Sequence, residues 1–104
     1  MTKDFCVLFC TASVDESEKI ARMLIEERLA ACVNITEVKS YYRWEGEFCE
    51  DKEALLIIKT VKSKVNKSIE RIKEVHSYEL PEIIALPIVA GYDKYLEWVD
   101  ESVG

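Results

Sequence analysis

A long β-hairpin is the feature of this sequence that most limits how the chain can fold. Residues 33–44 and 47–60 are rich in β-branched and aromatic side chains, and Glu45 and Gly46 between them form a tight-turn signal. At about 3.4 Å per residue, each arm is about 40 Å long. A compact domain of about 100 residues has a radius of gyration of only about 13 Å. The sequence therefore predicts a hairpin that projects from the domain or curls around it.

The elements before and after the hairpin predict an α+β domain. Residues 5–10 are apolar on both alternating faces, which indicates a central strand. Apolar residues at helical spacing predict helices over residues 14–32 and 62–75. A capping-box pattern of Ser13 and Glu16 opens the first of these helices.

The last part of the chain predicts a strand over residues 83–92 and a short helix that begins at Asp93. Pro87 lies inside this strand, and because proline donates no hydrogen bond to a sheet, the strand belongs at an edge or a bulge. The element order is then βαββαβ with an extra C-terminal helix. This is the split-βαβ, ferredoxin-like pattern with an antiparallel sheet, here as a single domain over residues 1–104.

Charge and cysteine content exclude several classes of partner. The formal net charge of −6 argues against nucleic acid and against an anionic membrane surface, because both require clustered Lys and Arg. The first ten residues contain too short an apolar run for a secretory signal or a membrane span. With no export signal, the four cysteines are expected to be free thiols in a cytoplasmic protein.

The aromatic side chains of the hairpin predict self-association. Tyr42 and Trp44 share one face of the first arm, and a projecting two-stranded ribbon is marginally stable by itself in water. These rings could pack within their own subunit or on another copy of the chain. Docking on another copy would also explain why the central strand is apolar on both faces, and we favour this interpretation.

The predicted topology brings a cysteine and the only histidine to the same end of the sheet. Cys10 lies near the end of the first strand, and His76 lies in the turn after the second helix. A thiolate and an imidazole suit copper or zinc, and Glu79 could add an oxygen ligand. In the structural alternative, His76 interacts with the helix dipole and Cys10 is a small buried apolar residue. The residues by themselves favour this alternative.

Other uses of these residues have less support. Cysteine and histidine could form a nucleophile and its base, but no Asn or Asp stands beside His76 and no oxyanion-hole loop is evident. With glycine only at positions 46, 91 and 104, there is neither a P-loop nor a GxGxxG motif. The sequence therefore predicts that the protein is not an enzyme.

Five segments, in order along the chain, resemble the CutA divalent-cation-tolerance family. They are "LAACVNI" at 29–35, "SYYRWEGE" at 40–47, "LIIKT" at 56–60, "HSYELPEII" at 76–84 and "YLEWV" at 95–99. The resemblance implies a ferredoxin-like homotrimer, to which the long hairpins contribute, that binds divalent metal ions, copper in particular, without enzymatic activity. Copper ligands of bacterial members map onto Cys10 and His76.

Two positions depart from the pattern of that family. Ser77 stands where the family usually has proline, which predicts a looser turn. Val75 stands where some members have a second histidine, so copper affinity is expected to be lower, or supported by Glu79. An alternative function is a trimeric module whose clefts near residues 76–81 bind a small molecule, an anion or a signalling or anchoring partner, with metal binding incidental.

Overall fold

A four-stranded antiparallel sheet with three helices forms the fold in this computed structural model, which describes residues 4–104. The strands are β1 (Phe5–Ala12), β2 (Cys32–Trp44), β3 (Glu47–Val61) and β4 (Ile83–Pro87). The helices are α1 (Val14–Glu26), α2 (Val65–Val75) and α3 (Asp93–Val103), with a short 3-10 turn over Lys62–Lys64. The strand order β2-β3-β1-β4 confirms the ferredoxin-like prediction and places β1 at the centre.

Helices α1 and α2 cover one face of the sheet. Alternate residues of β1 are fully or almost fully buried on that face, and Ile20, Leu24 and Ile72 pack against them. The opposite face of β1 is only half-buried. At one end of this second face, Val99 and Val103 of α3 pack on Val61. Within one chain, therefore, only one face of the central strand has a full cover.

The hairpin projects from the sheet, as predicted. Strands β2 and β3 pair from Cys32 and Lys59 out to Trp44 and Glu47, whereas β1 pairs with β3 no farther than Ala54. The outer part of the hairpin therefore has no third strand, and the molecule measures 48 × 25 × 21 Å. The turn uses positive φ angles of 50° at Glu45 and 81° at Gly46, the geometry of two-residue hairpin turns.

The prediction that the first helix continues to residue 32 is wrong. Helix α1 ends at Glu26, and Arg28 adopts a left-handed backbone with φ of 57°. The amide of Leu29 then donates to the carbonyl of Leu24 at 2.9 Å, which closes the helix end. Leu29 and Ala30 are buried after this reversal, so their apolar character reflects core packing and not a continuing helix.

The last strand is shorter than the predicted span of residues 83–92. Strand β4 ends at Pro87, and one further backbone hydrogen bond follows it, from the amide of Ile88 to the carbonyl of Phe5 at 2.9 Å. The prediction that Pro87 indicates an edge is confirmed, because β4 is the outermost strand beside β1. None of the helices in residues 4–104 has the length and apolar character needed to cross a bilayer.

Candidate functional site

The carbonyl oxygen of Thr11, at the end of β1, is the point where Cys10 and His76 meet. His76 Nε2 lies 2.8 Å from this oxygen, and Cys10 Sγ lies 3.7 Å from it. The topology brings them together because β1 ends, and α2 runs out into its turn, at the same end of the sheet. The predicted proximity of the cysteine and the histidine is therefore confirmed.

Both nitrogens of the His76 ring make hydrogen bonds. The amide of Tyr78 donates to Nδ1 at 3.1 Å, so Nδ1 supplies a lone pair and the proton resides on Nε2, which donates to Thr11. The ring also packs against Tyr78, with 4.6 Å between the ring centroids. In this arrangement the imidazole has no lone pair left for a metal ion, and its role is to fix the turn onto β1.

Cys10 is a buried, protonated thiol. Its side chain has no solvent exposure, and burial, reinforced by the carboxylates of Glu82, Glu16 and Glu53, raises the pKa of Cys10 to about 12. Both metal ligation and nucleophilic attack need the thiolate. In the described conformation Cys10 is therefore a small apolar core residue.

The residues present do not form a ready metal site in this conformation. Nowhere in residues 4–104 do three or more His, Cys, Asp or Glu side chains converge in a way that could hold a metal ion. Glu79 is exposed and lines a groove on the surface, so it does not complete a site with Cys10 and His76. The assignment of Cys10, His76 and Glu79 as metal ligands stays a prediction.

Ser77 anchors the turn, so the expectation of a looser turn is wrong. The amide of Ser77 donates to Glu16 Oε1 at 2.8 Å, a bond that proline could not make. The hydroxyl of Ser77 donates to the other oxygen of the same carboxylate. Glu16 belongs to the capping box that was predicted, because its amide donates to the N-cap oxygen of Ser13 at 3.2 Å. The cap of α1 and the turn after α2 therefore share one carboxylate.

The Glu16 carboxylate makes the stability of this turn depend on pH. Burial by itself raises the pKa of Glu16, but hydrogen bonds from Ser77 and Ser13 and the nearby His76 outweigh burial and lower it. A lowered pKa in the folded state means that the carboxylate stabilises the protein above the pKa of the unfolded chain. This contribution is lost as the pH falls through the folded-state pKa.

We expect Glu16→Gln to reduce the free energy of unfolding by about 1–2 kcal/mol at pH 7, because hydrogen bonds to a charged acceptor are lost. The difference from the parent protein should begin to shrink as the pH falls below about 4, near the pKa of an ordinary glutamate, and it should disappear only when the folded-state carboxylate, whose pKa is lower, is also protonated. Urea unfolding at several pH values measures both effects, with exposed Glu18→Gln as the matched control. A difference that stays constant down to pH 3 would contradict this account.

A groove lies between the turn after α2 and the projecting hairpin. Its volume is about 680 Å³. Its lining combines aromatic and acidic side chains with a few others: Thr11, Ser40, Tyr41, Tyr42, Arg43, Trp44, Asp51, Glu53, Tyr78, Glu79, Leu80 and Glu82. Of these residues, Tyr42, Trp44 and Glu79 are predicted from the sequence as contact or ligand residues, whereas Asp51 and Glu53 are not.

Tyrosine hydroxyls donate hydrogen bonds to the carboxylates of Asp51 and Glu53. The hydroxyl of Tyr78 donates to Glu53 Oε2 at 2.9 Å, and burial together with this bond raises the pKa of Tyr78. The hydroxyl of Tyr42 donates to Asp51, and this hydrogen bond raises the pKa of Tyr42 to about 12. Period-two alternation places Asp51 and Glu53 on one face of β3, a signal that could have identified the pair.

Comparison with known proteins identifies the family. The family model described as CutA1 divalent ion tolerance protein matches residues 5–102. The divalent-cation tolerance protein CutA of Thermus thermophilus is 48% identical over 99 residues, which cover 94% of this chain and 96% of that protein.

Solved structures agree with the sequence comparison. The periplasmic divalent cation tolerance protein CutA from Archaeoglobus fulgidus is 40% identical with a TM-score of 0.94, covering 96% of this chain and 99% of that one. The PII-like protein CutA from Nostoc is 33% identical with a TM-score of 0.91, covering 95% and 97%. The chain therefore belongs to the CutA1 divalent ion tolerance protein family.

Proposed function

We propose that this protein acts in divalent-cation tolerance as a non-enzymatic homotrimer in the cytoplasm. Membership of the family supports a role in metal tolerance. A protonated, buried Cys10 beside a fully hydrogen-bonded His76 argues against nucleophilic catalysis by this pair in the described conformation. All four cysteines are free thiols, which suits a reducing compartment.

The observation that carries the trimer proposal is an apolar sheet face that one chain leaves uncovered. The register of the strands places six apolar residues on the face opposite α1 and α2, and each of them is half-buried or exposed: Val7, Phe9, Leu55, Ile57, Ile84 and Leu86. A contiguous apolar patch of this kind is typical of an interface between subunits.

The two edges of the sheet favour a closed ring over a two-fold dimer. Strands β2 and β4 are the edges, and each has unpaired backbone groups on its outer side. Pairing of β2 from one copy with β4 of the next would be a head-to-tail contact, and such contacts form a ring when the rotation between successive copies closes. Three copies agree with the resemblance of the sequence to a trimeric family.

Sedimentation velocity at low micromolar concentration tests this proposal. We expect one species with three times the 12.0 kDa mass of a single chain. A monomer at that concentration would contradict it, because an apolar patch of this size would then be exposed to water in the functional state.

Copper binding through Cys10, His76 and Glu79 is the second candidate function. The convergence of Cys10 and His76 on the carbonyl of Thr11 favours it. Binding would require that the hydrogen bonds of His76 break and that Cys10 lose its proton, so we expect weak affinity.

Calorimetric titration of the reduced protein with copper tests this candidate. We expect defined stoichiometry per subunit, and we expect Cys10→Ser and His76→Gln each to weaken binding at least about tenfold, because each removes a ligand atom. Cys49→Ser, a change of another thiol in the hairpin, is the matched control and should bind as the parent does. Copper binding that survives both ligand changes would show that the turn around His76 is structural.

A further inference from the structure

The projecting part of the hairpin is tied to the rest of its chain by one side-chain hydrogen bond. This part, residues 38–53, lies beyond Ala54, the last residue of β3 that pairs with β1. Among residues 4–104, the hydroxyl of Tyr78 donates to Glu53 at 2.9 Å, and the other side-chain hydrogen bonds of the projecting part stay within the hairpin. No ion pair between residues of the described chain reaches it. The bond from Tyr78 is therefore its specific link to the domain.

Glu53 lies at the base of the projecting part, opposite Val38. Its exposure is 7%, so water competes little for its hydrogen bond with Tyr78. A hydrogen bond to an ionised acceptor is also about twice as strong as one between neutral groups. A bond of this kind at the base restrains the direction in which the hairpin leaves the domain.

Tyr78 is itself fixed to the central strand. Its amide donates to His76 Nδ1 at 3.1 Å, and the centroids of the two rings are 4.6 Å apart. His76 Nε2 in turn lies 2.8 Å from the carbonyl oxygen of Thr11, at the end of β1. A continuous series of contacts therefore joins β1, the turn after α2 and the base of the hairpin.

A small rotation at the base of the hairpin has a large effect at its tip. From Glu53 to Glu47 the strand extends about 20 Å, so a rotation of about 10° at the base moves the tip by about 3–4 Å. Tyr42 and Trp44 lie in this part and are the rings predicted to dock on another copy. Subunit interfaces are packed as closely as protein interiors, so a displacement of this size would separate the docked surfaces.

We infer that Tyr78 is a positioning residue for assembly. Its hydrogen bond to Glu53 holds the projecting hairpin in the direction that docks Tyr42 and Trp44 on a second copy of the chain. This inference rests on the proposed trimer. It gives the turn at residues 76–79 a role in assembly that requires no metal ion.

Tyr78→Phe tests the inference, because it keeps the ring and removes only the hydroxyl. We expect the dissociation constant of the assembly to rise at least about tenfold in sedimentation velocity over a range of concentrations. Circular dichroism should show native secondary structure. Ser68→Ala is the matched control: it removes a buried hydroxyl in α2 that donates to the carbonyl of Lys64 at 2.7 Å. The control also loses one hydrogen bond, but it should assemble as the parent does.

Variants of Glu53 separate positioning from direct contact with the second copy. Glu53→Gln keeps an oxygen that accepts from Tyr78, so it should assemble more tightly than Glu53→Leu, which has no acceptor. Adding Tyr78→Phe to Glu53→Leu should cause no further loss, because the two side chains act through one bond. Losses that add fully in the double variant would show that the Tyr78 hydroxyl acts on the second copy directly, and they would overturn the inference.

The mass of the parent protein separates this inference from the proposed trimer. A parent that sediments as a monomer would contradict the trimer and, with it, a docking role for the hairpin. A trimeric parent whose Tyr78→Phe variant assembles with parental affinity would leave the trimer in place and overturn the positioning role of Tyr78.

Discussion

Replacement of Ile57 by aspartate is expected to convert the assembly into folded monomers. Ile57 lies on the sheet face that α1 and α2 do not cover, opposite Phe9 of β1. It belongs to neither core cluster of the single chain, so the subunit itself should still fold. At a subunit interface, in contrast, the new carboxylate would be buried without a partner. We expect a cost of about 3 kcal/mol or more for each interface, or about a hundredfold in the dissociation constant.

Sedimentation velocity over a range of concentrations measures this effect. Ile25→Asp is the matched control, because Ile25 is 44% exposed on α1 and lies outside the apolar sheet face. The control should sediment as the parent does, and circular dichroism should show native secondary structure for both variants. If Ile57→Asp assembles with parental affinity, the uncovered face is not the subunit interface.

Replacement of His76 by alanine is expected to lower the free energy of unfolding by about 2–4 kcal/mol in metal-free buffer. The change deletes two hydrogen bonds and the ring contact with Tyr78, and it leaves the carbonyl of Thr11 without its imidazole partner. Urea unfolding at a fixed protein concentration, with a chelator present, measures the loss, because association also contributes to apparent stability.

Two conservative variants identify which hydrogen bond matters. Asparagine at position 76 can accept from the amide of Tyr78, and glutamine can donate to Thr11, so each should recover part of the loss. An alanine variant within about 0.5 kcal/mol of the parent would show that the ring does not hold the turn. The two hydrogen bonds of the His76 ring would then contribute little to the free energy of unfolding.

The position of the turn relative to the sheet could be predicted, but its hydrogen bonds could not. Topology alone requires that β1 and α2 both finish at the same end of the sheet. The proximity of Cys10 and His76 therefore follows from the element order. Whether the imidazole nitrogens face a metal or the backbone depends on side-chain rotamers and on distances of a few tenths of an ångström. No periodicity in the sequence carries this information.

The end of α1 shows a similar limit. Residues 14–32 carry apolar residues at helical spacing throughout, and no glycine or proline interrupts them. The chain nevertheless reverses at Arg28, because burial of Leu29 and Ala30 under the sheet compensates for a left-handed backbone at a non-glycine residue. Local propensity favoured a longer helix, and tertiary packing overrode it.

The sequence by itself determined the element order and the central position of β1, because both follow from the periodicity of apolar residues. It also determined the projecting hairpin, through its turn residues, and the edge position of β4, through the missing donor of Pro87. Only the tertiary structure decided that Glu16 bonds to Ser77 and that Tyr78 bonds to Glu53. These contacts join residues 61 and 25 positions apart. Their geometry depends on how helices and strands pack in three dimensions, which spacing along one chain does not specify.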